Sequence, residues 1–223
     1  MIRTLALTTS AALVLAASAH AGVASPFTEN FDSDSANWFN SGGGSPLDWS
    51  PTGSYDGGAY ATTSLEVPLM PPPFGLTVFR AQDEFGSSGG GFEGDWIAGG
   101  ITELRFQVRH NAAVPVSMFS RIASPNNFPS AVGLAFEPIL PNTWTEVVID
   151  VSEGSPQLIL AGAEYSEVFS NIGHLQFGFE PTDAVFGQTI QFDIDAVQIV
   201  PAPGAFAVLG GFALVAGRRR RRG

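Results

Sequence analysis

Acidic side chains gathered at the two ends of the central region are the first residues with chemical capacity. Glu29, Asp32 and Asp34 open it, Asp193 and Asp195 close it, and a turn, Tyr55-Asp56-Gly57-Gly58, lies between. Calcium takes six to eight oxygens from carboxylates and backbone carbonyls, and a glycine-rich turn supplies both kinds. Domain termini tend to lie close together, so the pattern predicts one structural calcium joining the first strand, that turn and the last strand. The competing reading is that these acids are solvated loop and edge charges, since no segment fits a twelve-residue ligand loop. The aromatic residues Trp38, Trp49, Tyr55, Trp96 and Trp144 are the second set, because a ring face can stack on the C–H groups of a sugar. Trp49 and Trp96 adjoin proline- or glycine-rich loops and, with Tyr55, are the expected glycan contacts; Trp144 begins a strand and reads as core edge. Buried packing is the competing reading for every one of them.

Catalytic residues are scarce. His110 and His174 are far apart in sequence, and no nucleophile elbow, zinc-protease helix, phosphate loop or dinucleotide fingerprint occurs. Glu103, Glu137 and Glu146 lie in or near strands, and a glycosidase would require two such carboxylates about 5 to 10 Å apart across a cleft. The chain therefore reads as a binding or structural protein, not an enzyme.

Positioning such residues requires a scaffold. The 223 residues include 26 Gly, 16 Pro and 18 Phe, a mixture of turns and large apolar side chains that favours sheets joined by tight loops. Segments alternating with period two occur at 59–67, 76–81, 101–110, 114–122, 132–136, 143–151, 175–179 and 189–200. In 101–110, Leu104, Phe106 and Val108 alternate with Arg105, Gln107 and Arg109; in 132–136, Val132, Leu134 and Phe136 form the expected core face. Only 163–172 has a helical pattern. The fold class is therefore all-β, a two-sheet antiparallel β-sandwich or jelly roll of about eight strands. It is flanked by a signal peptide and a short C-terminal hydrophobic helix.

Charge excludes one partner class. Lysine is absent, and six of the ten arginines lie in the end segments, so the middle carries four arginines against 21 acids, a net charge of −17. Such a domain repels phosphate backbones and is not a nucleic-acid binder. Cysteine is absent too, which removes disulfides, zinc ribbons and thiol nucleophiles.

The ends read as targeting segments. Residues 1–21 combine Arg3, an apolar run from Leu5 to Ala17, and a small-x-small site at Ala19-His20-Ala21, the pattern of a secretory signal cleaved after Ala21. At 200–223, Pro201-Ala202-Pro203-Gly204 precedes an apolar stretch, Ala205 to Ala216, and five arginines, Arg218 to Arg222. As a helix this stretch spans about 21 Å, short of a bilayer core of about 30 Å, so it suits transient membrane insertion with the arginines held inside. The segment resembles the PEP-CTERM sorting signal of bacterial surface proteins, with Ala202 where that family has Glu. The resemblance implies sorting-signal roles for Pro201, Pro203, Gly204, Arg218, Arg219 and Arg220. It also implies secretion machinery and an exosortase-type protease as partners, with delivery to the cell envelope, surface or matrix.

The middle, 22–199, resembles the galactose-binding-like jelly rolls that include many carbohydrate-binding modules. The likeness lies in Glu29-Asn30-Phe31-Asp32 with Trp38, in Asp56-Gly57-Gly58-Ala59-Tyr60, and in Phe192-Asp193-Ile194-Asp195-Ala196-Val197. It implies a structural calcium on Glu29, Asp56 and Asp195 and an extracellular polysaccharide as ligand. A purely structural surface protein and, third, a glycosidase-like enzyme remain the alternatives.

Overall fold

The computed structural model describes residues 22–70 and 75–203. The expected signal site at Ala19 and Ala21, and Gly204, Arg218, Arg219 and Arg220 of the sorting segment, lie outside the described residues. In chain order the strands are β1 (Phe27–Glu29), β2 (Phe39–Asn40), β3 (Asp48–Ser50), β4 (Tyr60–Glu66), β5 (Leu76–Gln82) and β6 (Ile101–His110). They continue with β7 (Ser117–Ala123), β8 (Ser130–Leu134), β9 (Thr145–Asp150), β10 (Leu158–Ile159), β11 (His174–Glu180) and β12 (Thr189–Pro201). Among the described residues the one α-helix, α1 (Tyr165–Phe169), falls inside the segment with helical pattern and opens on a capping box between Glu164 and Glu167. Among the described residues no helix is long and apolar enough to cross a membrane.

Two antiparallel six-stranded sheets form. The first runs β3-β4-β12-β6-β9 with β1 also on β12; the second runs β10-β8-β7-β11-β5-β2. This is the two-sheet antiparallel sandwich that the alternation predicts. The eight expected strands all form. The four additional ones, β1, β2, β3 and β10, are two or three residues long, too short to carry a period. Between the sheets lies a core rich in rings. Trp38 stacks on Phe177 at 5.8 Å and Phe106 meets the same ring edge-on at 4.5 Å.

One strand has the opposite phase from that expected. Ala131 and Gly133 of β8 face inward, whereas Val132 and Leu134 are only partly buried and Phe136 is exposed. The cause is close approach of the sheets: a Cβ on Gly133 would stand 2.7 Å from Cγ2 of Ile149 and 2.9 Å from Oγ of Ser120. Only small residues fit that face, so the larger ones turn out.

The long strand β12 organises the first sheet. Its residues Thr189 to Ile194 pair with β4, and Val197 to Ile199 pair with β1 along the same edge. At the seam between the two partners the register against β6 shifts and Ala196 takes φ 45°. Asp195 stands at this bulge, which is why a carboxylate of the last strand meets a loop instead of a neighbouring strand. The strand extends to Pro201, two residues past the expected domain limit at 199, and Ala202 N–H donates to Gly100 O at 2.9 Å.

Candidate functional site

Outward residues of the first sheet carry the most elaborate polar arrangement. Asp193 on β12 faces Arg109 on β6 and Thr62 on β4. Arg109 donates Nε and Nη2 to Oδ2 of Asp193 at 2.8 and 2.7 Å, while Thr62 Oγ1 and Gln191 Nε2 donate to Oδ1 at 2.6 and 3.0 Å. All acceptor positions of this buried carboxylate are thus filled, and the guanidinium is held in one orientation. It lies over the rings of Trp144 and Tyr60, at 4.7 and 5.3 Å from their centroids, and the two rings meet edge-on. A pocket of about 290 Å³ opens beside them, lined by Arg109, His110, Asn111, Asn142, Gln191 and Asp193.

The loop 51–58 closes this surface on one side. Gly53 O accepts from Trp144 Nε1 at 3.0 Å and from Arg109 Nη1 at 3.4 Å, so the loop is pinned to Arg109 of the pocket lining and to the ring stacked on it. Gly53 has φ 100°, a backbone state that favours glycine. Tyr55, at the loop tip, is 47% exposed. Burial pushes its hydroxyl pKa up, and Asp56, Asp195 and Glu146 add to the rise, so the ring lies among carboxylates of the turn, β12 and β9.

The expected glycan contacts therefore separate. Tyr55 stands exposed at the tip of the loop bonded to Arg109 and Trp144, outside the pocket lining. Trp49 is 38% exposed but sits on edge strand β3, on the opposite side from Ser50, and donates Nε1 to Phe31 O at 2.6 Å; it makes no ring contact with Tyr55, Tyr60 or Trp144. Trp96 is a correction. It is 0% exposed, bonds Phe92 O at 2.8 Å through Nε1 and packs on Phe169, so it has no face to offer a sugar. Flanking glycines suggested exposure, but here they let backbone approach closely: a Cβ on Gly99 would stand 2.2 Å from Ala24 O. Trp144, expected at the core edge, lies against the Arg109 guanidinium beside the pocket, and Arg109 and Asp193 are the charged residues of the pocket lining. Their only sequence sign is that both are charged residues on the polar phase of their strands.

Of the expected calcium ligands, the structure associates two. Asp195 is 3% exposed, and burial raises its pKa from 3.8 to about 6, with Asp56 and Asp32 adding to the rise while the Ala196 N–H and Ser54 hydroxyl oppose it. Asp56 is fixed by Ser54 Oγ at 2.6 Å and Gly58 N–H at 2.8 Å, and these bonds lower its pKa. Glu29 turns to its own chain, accepting Phe31 N–H at 2.9 Å. Glu29, Asp56 and Asp195 do not gather their oxygens within 4.8 Å of one another; among the described residues only Asp83, Glu84 and His174 do so. There His174 Nε2 lies 3.1 Å from Asp83 Oδ1 and 2.8 Å from Glu84 Oε2, a contact that pairing of imidazole with carboxylates accounts for. His110 is likewise structural, with Nε2 3.0 Å from Ile139 O and Nδ1 accepting Ala112 N–H.

Glu137 and Glu146 line one groove of about 420 Å³ between the segment 135–139, which follows β8, and β9, together with Asp150 and Gln157. Glu103 is apart from them, paired with Arg105 on β6.

No family model matches the chain, and no curated protein sequence does so. Solved structures are similar in fold. A family 11 carbohydrate-binding module from Clostridium thermocellum, in complex with a β-1,3-1,4-mixed-linked tetrasaccharide, is 13% identical over 81% of this chain and 98% of its own, with a TM-score of 0.47. The C-terminal family 22 carbohydrate-binding module of a Clostridium thermocellum xylanase is 12% identical over 79% and 94%, at 0.45. The CBM22-1 and GH10 modules of Clostridium thermocellum endo-1,4-β-D-xylanase 10B, complexed with xylohexaose, are 14% identical over 78% of this chain, at 0.49; the match spans 28% of that protein.

Proposed function

We propose that the chain is an exported envelope or extracellular-matrix protein whose sandwich binds a glycan without cleaving it. The observation that carries this reading is the pocket beside Arg109. Its lining joins amides at Asn111, Asn142 and Gln191 to the charged pair Arg109 and Asp193, and the Arg109 guanidinium lies over the half-buried rings of Tyr60 and Trp144, with Tyr55 exposed on the loop bonded to Arg109 and Trp144. Sugar recognition needs that combination of a stacking ring with fixed donors and acceptors. Arg109 is already oriented by Asp193, so little freedom is lost when a ligand arrives. Retention of the full chain on insoluble and gel-embedded neutral polysaccharides tests the reading. Trp144→Ala and Tyr55→Ala are expected to weaken retention about tenfold each, the scale of a lost ring stack. Retention unchanged by both substitutions would overturn the assignment.

The same proposal includes one structural calcium at the β12 seam, held by Asp195 and Asp56, with Glu29 at its margin. What supports it is a buried carboxylate facing two further acids with no cation among its partners. Delivery is assigned to the signal at 1–21 and to processing of the segment 200–223 by an exosortase-type protease, with transient membrane insertion. In support, the chain leaves β12 at Pro201, so a cut near Pro203 would spare the sandwich.

Hydrolysis is the second reading, favoured by the groove that Glu137 and Glu146 share. Release of reducing ends that is abolished by Glu146→Gln would establish it.

A further inference from the structure

The middle of the chain has only four arginines, and two of them are occupied by acids. Arg105 pairs with Glu103 and Arg109 with Asp193. Arg80 and Arg121 are different. All 21 acidic side chains lie among the described residues, and none of them is within ion-pairing distance of either guanidinium. In a domain where acids outnumber arginines five to one, two partly buried cations without a counter-ion stand out, because burying an unpaired charge is costly.

Sheet register brings these two arginines together. Gln176 on β11 pairs with Arg80 on β5 at one side and with Arg121 on β7 at the other. The neighbouring residues Leu175 and Phe177 point into the core, so Arg80, Gln176 and Arg121 form a row across the outer face of the second sheet. Two strand spacings separate the arginines at the backbone, about 10 Å. Burial lowers the pKa of both, and for Arg121 the nearby charge of Arg80 lowers it further.

Neutral groups hold them in place. Arg80 Nε donates to Ser41 O at 2.7 Å, while Arg121 donates Nη1 to Asn127 Oδ1 at 2.5 Å and Nη2 to Asn127 O. Both Nη groups of Arg80 and the Nε–H of Arg121 have no protein acceptor among the described residues. Glu84 influences Arg80, but its carboxylate bonds His174. Beside the row, the Phe128 ring is 67% exposed and lies 5.0 Å from the Arg121 guanidinium.

We propose that this face binds a carboxylate-bearing polysaccharide, a uronate polymer. Arg80 and Arg121 receive carboxylates from two of its sugar units, and Phe128 lies under a pyranose ring. Guanidinium matches carboxylate in planar, two-bonded geometry, and the exposed ring next to it selects a sugar over a bare anion. The domain's negative charge opposes a polyanion at a distance, but salt screens that field beyond about 8 Å, whereas the arginine contacts act at hydrogen-bond range. The choice of a polysaccharide rests on the glycan-binding reading above; the residues lie on the other sheet from Trp144.

Affinity electrophoresis of the full chain in polygalacturonate, and in the same polymer with its carboxyl groups reduced to alcohols, tests the proposal on unaltered protein. The expected result is affinity for polygalacturonate that falls at least about tenfold on the reduced polymer, the scale of one charge-assisted hydrogen bond. Arg80→Gln and Arg121→Gln should each reproduce that loss with the thermal midpoint retained. Equal binding of the two polymers, absence of polygalacturonate binding, or variants that bind like the parent would overturn it. A chain that holds a neutral glucan through Trp144 and ignores polygalacturonate would keep the first proposal and lose this one.

Discussion

Replacing Asp195 by Asn removes one charge from the seam between β4 and β1 and leaves the shape of the side chain nearly unchanged. In the folded protein the Asp195 carboxyl ionises at about 6, against 3.8 ordinarily, mainly because it is buried and secondarily because Asp56 and Asp32 lie near. A group whose folded pKa is raised contributes stability below pH 3.8 that is lost as pH climbs through 6, because the unfolded chain gives up its proton first. The rise corresponds to about 3 kcal/mol, fully lost above pH 6 to 7. For a domain of this size that is about 6 to 12 °C in thermal midpoint. Melting in chelator at pH 4.5 and pH 7.5 should therefore show the parent losing more stability with rising pH than Asp195→Asn does. Asn retains an oxygen for the Ala196 N–H, now bonded at 2.7 Å, so the variant is expected to melt higher than the parent at pH 7.5. Other titrating groups are common to both proteins and cancel in the comparison. Calcium should reverse the order, since it binds the ionised carboxylate and stabilises only the parent. Parallel pH profiles for the two proteins would refute the burial argument; a profile difference that calcium leaves untouched would refute the metal site alone.

Trp96→Ala should cost about 3 to 5 kcal/mol, read as the denaturation midpoint, with glycan retention of the folded fraction unchanged, because the indole is wholly inside the core. Gly133→Ala is expected to destabilise by about 1 to 3 kcal/mol in the same assay, since the new methyl group would press on Ile149 and Ser120. Intact mass of protein recovered from envelope and medium should show a start near Gly22 and an end near Pro203; an intact arginine tail would contradict processing.

Alternation of apolar and polar residues was enough to locate the eight longer strands, and the run Ile101 to His110 matches β6 end to end. Burying one face of a strand imposes that period, so it can be read locally. The phase of β8 could not, because what decides it is the distance between sheets at Gly133, a property of two segments about 16 residues apart that meet only after packing. Burial of Trp96 was hidden for a related reason, since glycine neighbours mark a flexible loop and a close backbone approach in the same way.

The sequence by itself determined the all-β class, the acidic character of the middle and the candidate carboxylates at the domain's ends, because composition and period are local quantities. Tertiary structure alone decided which residues share a surface. The bulge at Asp195 seats that carboxylate under the loop carrying Asp56, and strand order sets Arg109 of β6 against Asp193 of β12 and under Trp144. It also places Arg80 and Arg121, 41 positions apart, on either side of Gln176. Antiparallel pairing converts separations of tens of residues into a few strand spacings, and no local pattern records which strands will pair.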